Sequence, residues 1–422
     1  MFDKDTDIML IKDSLDEMKK REVSLKVIKS IIDTNGRDSL YDLTGLSGGF
    51  LATADELNLL ETYIGPAIFE EKLQVLGREH LGGEKIFPFN RTSSGILATI
   101  LAIVKEYSYV LHFLPEFPAH PSIPRSCELV GANYLEFDDI NKFKSNFPKN
   151  VSLVVITGST MDHNVLDEKS FETVIGLAKD KNIPVLVDDA SGARLRTAIF
   201  SQKKAIELGA DLVVTSTDKL MMGPRGGLMA GKQDLIDEIK TKAQQFGLEA
   251  QPPSILAMVK GLENYSEDDL KKSISKKEEL MNLLSSDFGM FEETPTGVMV
   301  SEDKLKNEIL IKLKKYDSNS KKSNFINSKE KESINANINN NFSNKDICFL
   351  WAMLLLKEEH IVTIPAVSMP GASATVRFDL AANDADNLDF NVLFNKIKSS
   401  FKILLNILND EKIAESVLFS FN

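Results

Sequence analysis

The sequence predicts an α/β protein with a large domain on a mainly parallel sheet, followed by a smaller α+β domain. Two observations carry this reading. From about residue 90, short apolar runs alternate with amphipathic helical patterns, as buried parallel strands joined by crossover helices do. Beyond about residue 290 the alternation loosens into a mixed set of strands and helices. The chain has 422 residues, 43% hydrophobic and 27% charged, enough to bury a sizeable core.

In chain order, Leu10, Ile11, Leu15, Met18, Val23, Val27, Ile28, Ile31 and Ile32 recur at helical spacing, and Gly36 is placed to close that helix. The glycine-rich DLTGLSGGF (42–50) reads as a loop. Strands are predicted at 108–114, 133–137, 151–157, 183–188, 211–215 and 227–230. Helices are predicted at 94–106, 122–131, 169–181, 202–208 and 232–246, with more helix over 253–280. In the second domain, 296–301 and 307–312 read as strands and 347–360 as a buried helix. Strands near 361–364 and 374–380 and a helix near 388–409 complete it. The stretch 315–345 is rich in Asn, Ser and Lys and cannot bury enough apolar surface to offset its ordering entropy, so a mobile surface insertion is expected there. The expected organisation is an N-terminal helical segment (1–60), a large α/β domain (61–290) and a small α+β domain (291–422).

The formal net charge is −12, which aids solubility and opposes nucleic-acid binding unless a basic patch overrides it. Cys127 and Cys348 are the two cysteines, too few for a disulfide framework or a CxxC metal site. Residues 1–10 have no signal-peptide pattern, and no apolar run is long enough to span a membrane. A cytoplasmic protein is expected.

Three features carry chemistry. STDKLMMGPRGG (216–227) follows an apolar strand directly and sets Lys219 at the mouth of the sheet. Alone, this is equally a solvated loop lysine. IPVLVDDASGARLR (183–196) ends a strand in Asp188 and Asp189. A buried carboxylate there needs a cationic partner, and the plainer reading is a helix N-cap or metal ligand. FNRTSSGILATILAI (89–103) places Thr92, Ser93, Ser94 and Gly95 before an apolar helix, an anion site suited to phosphate or an ordinary N-cap. It is no Walker A loop, because no Gly-Lys-Ser/Thr follows.

In the order phosphate turn, aspartate strand, lysine, these features resemble a fold type I pyridoxal-phosphate enzyme. STDKLMMGPRGG is similar to the lysine loop of bacterial selenocysteine synthase, Ser-x-Asp-Lys-Leu-x-Gly-Gly-Pro, with Met222 where that pattern has its first glycine. The chain as a whole resembles uncharacterised archaeal pyridoxal-phosphate proteins related to that enzyme. The resemblance spans roughly residues 40–290, and the C-terminal part more weakly. It implies a seven-stranded type of sheet, pyridoxal 5′-phosphate as cofactor, and at least a homodimer. It makes Lys219 the Schiff-base lysine and Asp188 the partner of the pyridine nitrogen, with Asp189 as the alternative. Ser93, Ser94 and Gly95 match the phosphate turn, and Ser216 is a further phosphate ligand. His120 is placed to stack on the cofactor, or else is a capped loop histidine. Thr157 is a candidate for the cofactor hydroxyl. Arg377 is the candidate for a substrate carboxylate, or else an outward strand charge. Arg194 is a second anion-binding candidate and Arg225 a possible phosphate contact.

The expected reaction is β-elimination or β-replacement on an amino acid or aminoacyl substrate. A small amino acid is favoured over seryl- or phosphoseryl-tRNA, because only a short helical segment precedes the catalytic region and the charge is negative. A catalytically silent binding or regulatory protein on the same fold is the alternative of a different class. A cysteine desulfurase is disfavoured, since Cys127 and Cys348 both lie in structural settings.

Overall fold

The computed structural model describes residues 9–318, 342–368 and 373–421. Most of the predicted 315–345 insertion lies outside the described residues. In chain order the strands are β1 Tyr41–Asp42, β2 Lys85–Phe89, β3 Tyr109–Phe113, β4 Asn133–Phe137, β5 Val151–Thr157, β6 Val185–Asp188, β7 Leu212–Ser216, β8 Gly227–Gly231, β9 Glu292–Thr294, β10 Gly297–Val300, β11 Ile361–Val362 and β12 Val376–Asp379. The first helices are α1 Ser14–Asn35, α2 Ala54–Leu57, α3 Ile64–Leu81, α4 Thr92–Ile103, α5 Ser122–Leu129, α6 Ile140–Ser145 and α7 Glu168–Lys179.

The chain divides into two compact units, residues 46–271 and residues 1–45 with 272–422. The first holds a seven-stranded sheet of order β2-β8-β7-β6-β5-β3-β4, in which only β8 runs antiparallel to its neighbours. Helices cover both faces, so β6, β7 and β8 are buried along their whole length and read as unbroken apolar runs. One face packs Ile96 and Ile100 of α4 and Ile123 and Cys127 of α5 on Val110, Val155, Leu186 and Val214. The other packs Leu73 of α3, Val174 of α7 and Ile255 on Val154, Val187 and Val213. The carboxyl ends of β5, β6 and β7 lie together, where this class of sheet gathers its ligands.

The second unit carries α1, the pair β1-β11 and the three-stranded sheet β12-β10-β9. Its core centres on the helix Asn344–Glu359, whose Trp351 is fully buried among Phe291, Phe378 and Phe401. No helix among the described residues is long and apolar enough to cross a membrane.

Two predicted elements are corrected. Residues 307–312 are not a strand but part of the helix Glu302–Ser318. Leu305, Ile309 and Leu313 are buried one turn apart, a period of 3.6 that the run NEILIK alone conceals. Residues 202–208 are not helical. The Arg196 carbonyl accepts from Gln202 N–H, and Arg196 Nη1 donates to the Lys203 carbonyl and to Gln202 Oε1. The Lys203 carbonyl is therefore turned to a side chain, and a single α-type bond, Leu208 N–H to the Lys204 carbonyl, forms within the segment. The strand β2 and the helix α3 went unread.

Candidate active site

Alternation along the strands decides what faces what. Leu186 lies on the face covered by α4 and α5, so Asp188, two residues on, continues that face, and Asp189 turns to the other. There Asp189 accepts from Arg196 through Nε (3.2 Å to both oxygens) and Nη2 (2.8 Å), and the guanidinium stacks on Phe171. Both partners are buried, 0% and 1% exposed. A Cβ on Gly158 or Gly192 would fall 1.9 or 2.0 Å from Asp189 Oδ1, so both glycines make room for this pair. Asp189 is a structural carboxylate.

Asp188 is different. It is buried, and its Oδ1 has no hydrogen-bond partner. Burial pushes its carboxyl up to about 6, while the Lys219 charge is the largest influence pulling the other way. A buried orphan oxygen costs roughly 1–3 kcal/mol. A donor to that oxygen, preferably a cationic one, would offset the cost. A protonated pyridine nitrogen fits that need.

Lys219 is partly buried and its Nζ lies 3.4 Å from Met161 Sδ. Its backbone is fixed from two sides. Leu46 bridges Lys219 in antiparallel fashion, and Ser47 N–H donates to the Asp218 carbonyl at 2.9 Å. On the other side, fully buried Arg194 donates through Nε to the Lys219 carbonyl (2.7 Å) and through Nη2 to the carbonyls of Ala190 (3.0 Å) and Ser216. Its Nη1 meets His80 Nε2 at 3.1 Å, and burial followed by the Arg194 charge holds His80 down at about 3, hence neutral. Arg194 was expected to bind an anion. A guanidinium committed to backbone carbonyls instead positions the lysine loop.

The N-terminus of α4 has no side-chain cap, and Ser93 and Ser94 are partly exposed in its first turn. Gly95 is buried, and a Cβ there would press on Phe89, Val214 and Met229 at 3.2–3.3 Å. At Gly227 a Cβ would fall 2.6 Å from the Arg91 carbonyl carbon and 2.7 Å from Thr92 N, so that glycine lets the turn lie against β8. Ser216, at the end of β7, donates its hydroxyl to Asp218.

His120 is partly buried before α5, where the edge of its ring meets Ser122, with Nδ1 2.8 Å from Oγ and 3.3 Å from the backbone N. Arg225 is exposed. Arg377 lies in the other unit on β12. It is 5% exposed and pairs with Asp379 at 3.6 Å, so it is not an outward strand charge. Among the described residues no cluster of His, Cys, Asp or Glu could hold a metal. Burial pushes the Cys127 thiol up to about 12 and Cys348 well above the ordinary range, as inert structural thiols require.

Sequence reasoning missed His112. It is fully buried on β3, with Nε2 2.7 Å from Thr157 Oγ1 and Nδ1 2.7 Å from the Tyr134 hydroxyl, which donates to Glu136 at 2.8 Å. The signal was parity, since His112 and Val110 share the face that Val155 and Thr157 share on β5.

A seven-stranded sheet with one antiparallel member and a lysine loop beside a buried aspartate define a pyridoxal-phosphate enzyme of fold type I. Solved structures bear out the fold. An N-succinyldiaminopimelate aminotransferase from Mycobacterium tuberculosis matches with a TM-score of 0.53 at 14% identity, over 90% of this chain and 97% of its own. A SepCysS–SepCysE N-terminal domain complex matches with a TM-score of 0.55 at 15% identity, over 87% and 95%. The chain belongs to the UPF0425 pyridoxal phosphate-dependent protein family. A member from Methanothermobacter thermautotrophicus is 48% identical over 96% of this chain and 98% of its own, and one from Methanococcus maripaludis 40% identical over 92% and 100%. The UPF0425 C-terminal domain matches residues 287–389, and the family of O-phosphoseryl-tRNA(Sec) selenium transferase matches residues 133–335. An L-seryl-tRNA(Sec) selenium transferase from Mannheimia succiniciproducens is 29% identical over 27% of this chain and 26% of its own.

Proposed function

We propose that this protein uses pyridoxal 5′-phosphate on Lys219 to catalyse β-elimination or β-replacement on a small amino acid. The observation that supports this most is the orphaned, buried Oδ1 of Asp188 within Coulombic reach of Lys219. Asp188 would hold the protonated ring nitrogen. The first turn of α4, with Ser93, Ser94 and Gly95, would bind the phosphate, joined by Ser216 if its hydroxyl turns from Asp218 to the phosphate, and His120 would lie against the ring. When bound, the cofactor supplies an electron sink for charge developing at the substrate α-carbon. Lys219 serves twice, condensing with the cofactor aldehyde and then moving the proton at the α-carbon. Arg194 and the strap of Leu46 and Ser47 hold the loop from which it reaches. The lysine's chemistry thus rests on fixed backbone.

A second reading has its own support. The match to the phosphoseryl-tRNA selenium transferase family covers the lysine loop, so a phosphoseryl-tRNA substrate is the rival.

Borohydride reduction of the cofactor-loaded protein followed by peptide mapping tests the assignment. The cofactor should be trapped on Lys219, and Lys219→Ala should lower turnover by at least about 10³-fold. Trapping on any other lysine overturns it. A panel of amino acids should include one that changes the visible spectrum of the bound cofactor and names the substrate class.

A further inference from the structure

We infer that His112 is a positioning residue that makes the Thr157 hydroxyl a hydrogen-bond acceptor toward whatever lies beside Asp188. The direction follows from a chain of four groups. The Tyr134 hydroxyl donates to the Glu136 carboxylate, so its oxygen is left to accept from His112 Nδ1–H. Burial first, and the nearby His120 second, hold His112 down at about 3, so the ring carries one proton and not two. With that proton on Nδ1, Nε2 accepts, and Thr157 must donate its only proton to it across 2.7 Å. The remaining lone pairs on Thr157 Oγ1 are all the site receives from this residue.

Thr157 is in register with Asp188 on the adjacent strand, and alternation sets both on the face of α4. Two acceptors therefore stand side by side, about 5 Å apart at strand spacing. Their complement is a ring bearing two donors, an N–H for Asp188 and an O–H for Thr157. This deepens the proposed function and rests on it only for the identity of that ring. The ring hydroxyl of pyridoxal phosphate would be held protonated. Were Thr157 a donor, it would favour the ionised oxygen.

The test has two readouts. In the cofactor-free protein, nitrogen-15 NMR of His112 should show Nδ1 protonated and Nε2 bare, and Tyr134→Phe should reverse the two. A wild-type ring with its proton on Nε2, or doubly protonated at neutral pH, overturns the inference without touching Lys219. In the loaded protein, Thr157→Val and Tyr134→Phe should shift the ratio of the two visible bands toward the ionised ring by about tenfold. Thr157→Ser should restore the wild-type spectrum. A wild-type spectrum in Thr157→Val overturns the acceptor role while leaving the lysine assignment standing. A loaded protein with no Lys219-bound band overturns the proposed function instead, and the NMR result is read independently of it.

Discussion

Two adjacent aspartates point to opposite faces of one sheet and find different surroundings. Asp189 meets Arg196 and is satisfied, whereas Asp188 carries a burial cost with no hydrogen bond on Oδ1. The folded value of Asp188 lies at about 6 against an ordinary 3.8. Because the folded state holds that proton more tightly, stability from this group is present below about pH 4 and is lost as pH rises to about 6. The shift corresponds to about 3 kcal/mol. Asp188→Asn should therefore melt higher than wild type in the cofactor-free state at pH 7, and the gap should close toward pH 4. Melting curves of both proteins from pH 4 to 7 decide it, and a variant no more stable than wild type at pH 7 would sink the idea that burial of Asp188 with no donor on Oδ1 costs stability. Removing the partner of Asp189 should act oppositely. Arg196→Met strands a buried charge and should cost about 3–5 kcal/mol at neutral pH, measured by denaturant unfolding.

At the scale of elements, the strands β5, β6 and β7 were legible because burial on both faces demands unbroken apolar runs. Their ends, and so Asp188 and Lys219, could be placed from the residues alone. That Asp188 and Asp189 take opposite faces was also present, in the alternation from Leu186. What was not legible depended on tertiary partners. β2 is only five residues long and contains Pro88. Arg194 looked like an anion ligand until its donors were seen on the carbonyls of Ala190, Ser216 and Lys219. The meeting of α4 with β8 belongs here too, since nothing in the local sequence announces that Gly227 admits Arg91 and Thr92 at a distance no side chain tolerates. Gly227→Ala must push the first turn of α4 off its seat. The expected outcome is a folded protein whose affinity for pyridoxal phosphate falls by at least about tenfold, or 1.4 kcal/mol, in a spectroscopic titration. Wild-type affinity would show that this turn does not hold the phosphate.

Across the whole molecule, charge separates the two substrate readings. A protein that grips tRNA neutralises phosphates with Lys and Arg, and its affinity falls steeply as salt displaces it. Here 62 acidic residues face 50 basic ones, for a net charge of −12. Many of the lysines are also paired with carboxylates, as Lys232 is with Asp211, Lys260 with Glu56 and Glu263, and Lys345 with Glu17. Long-range attraction for a polyanion is therefore weak, and any tRNA site would have to work against the field of the rest of the surface. Filter binding of unfractionated and serine-specific tRNA at low and near-physiological salt measures this directly. Binding weaker than about 10⁻⁵ M near physiological salt, in the non-specific range, is expected with a small amino acid as substrate. Binding at or below about 10⁻⁷ M that weakens steeply with salt would reverse the choice of substrate. It would leave the roles proposed for Lys219 and Asp188 untouched, because the chemistry at the α-carbon is the same whether the amino acid is free or esterified.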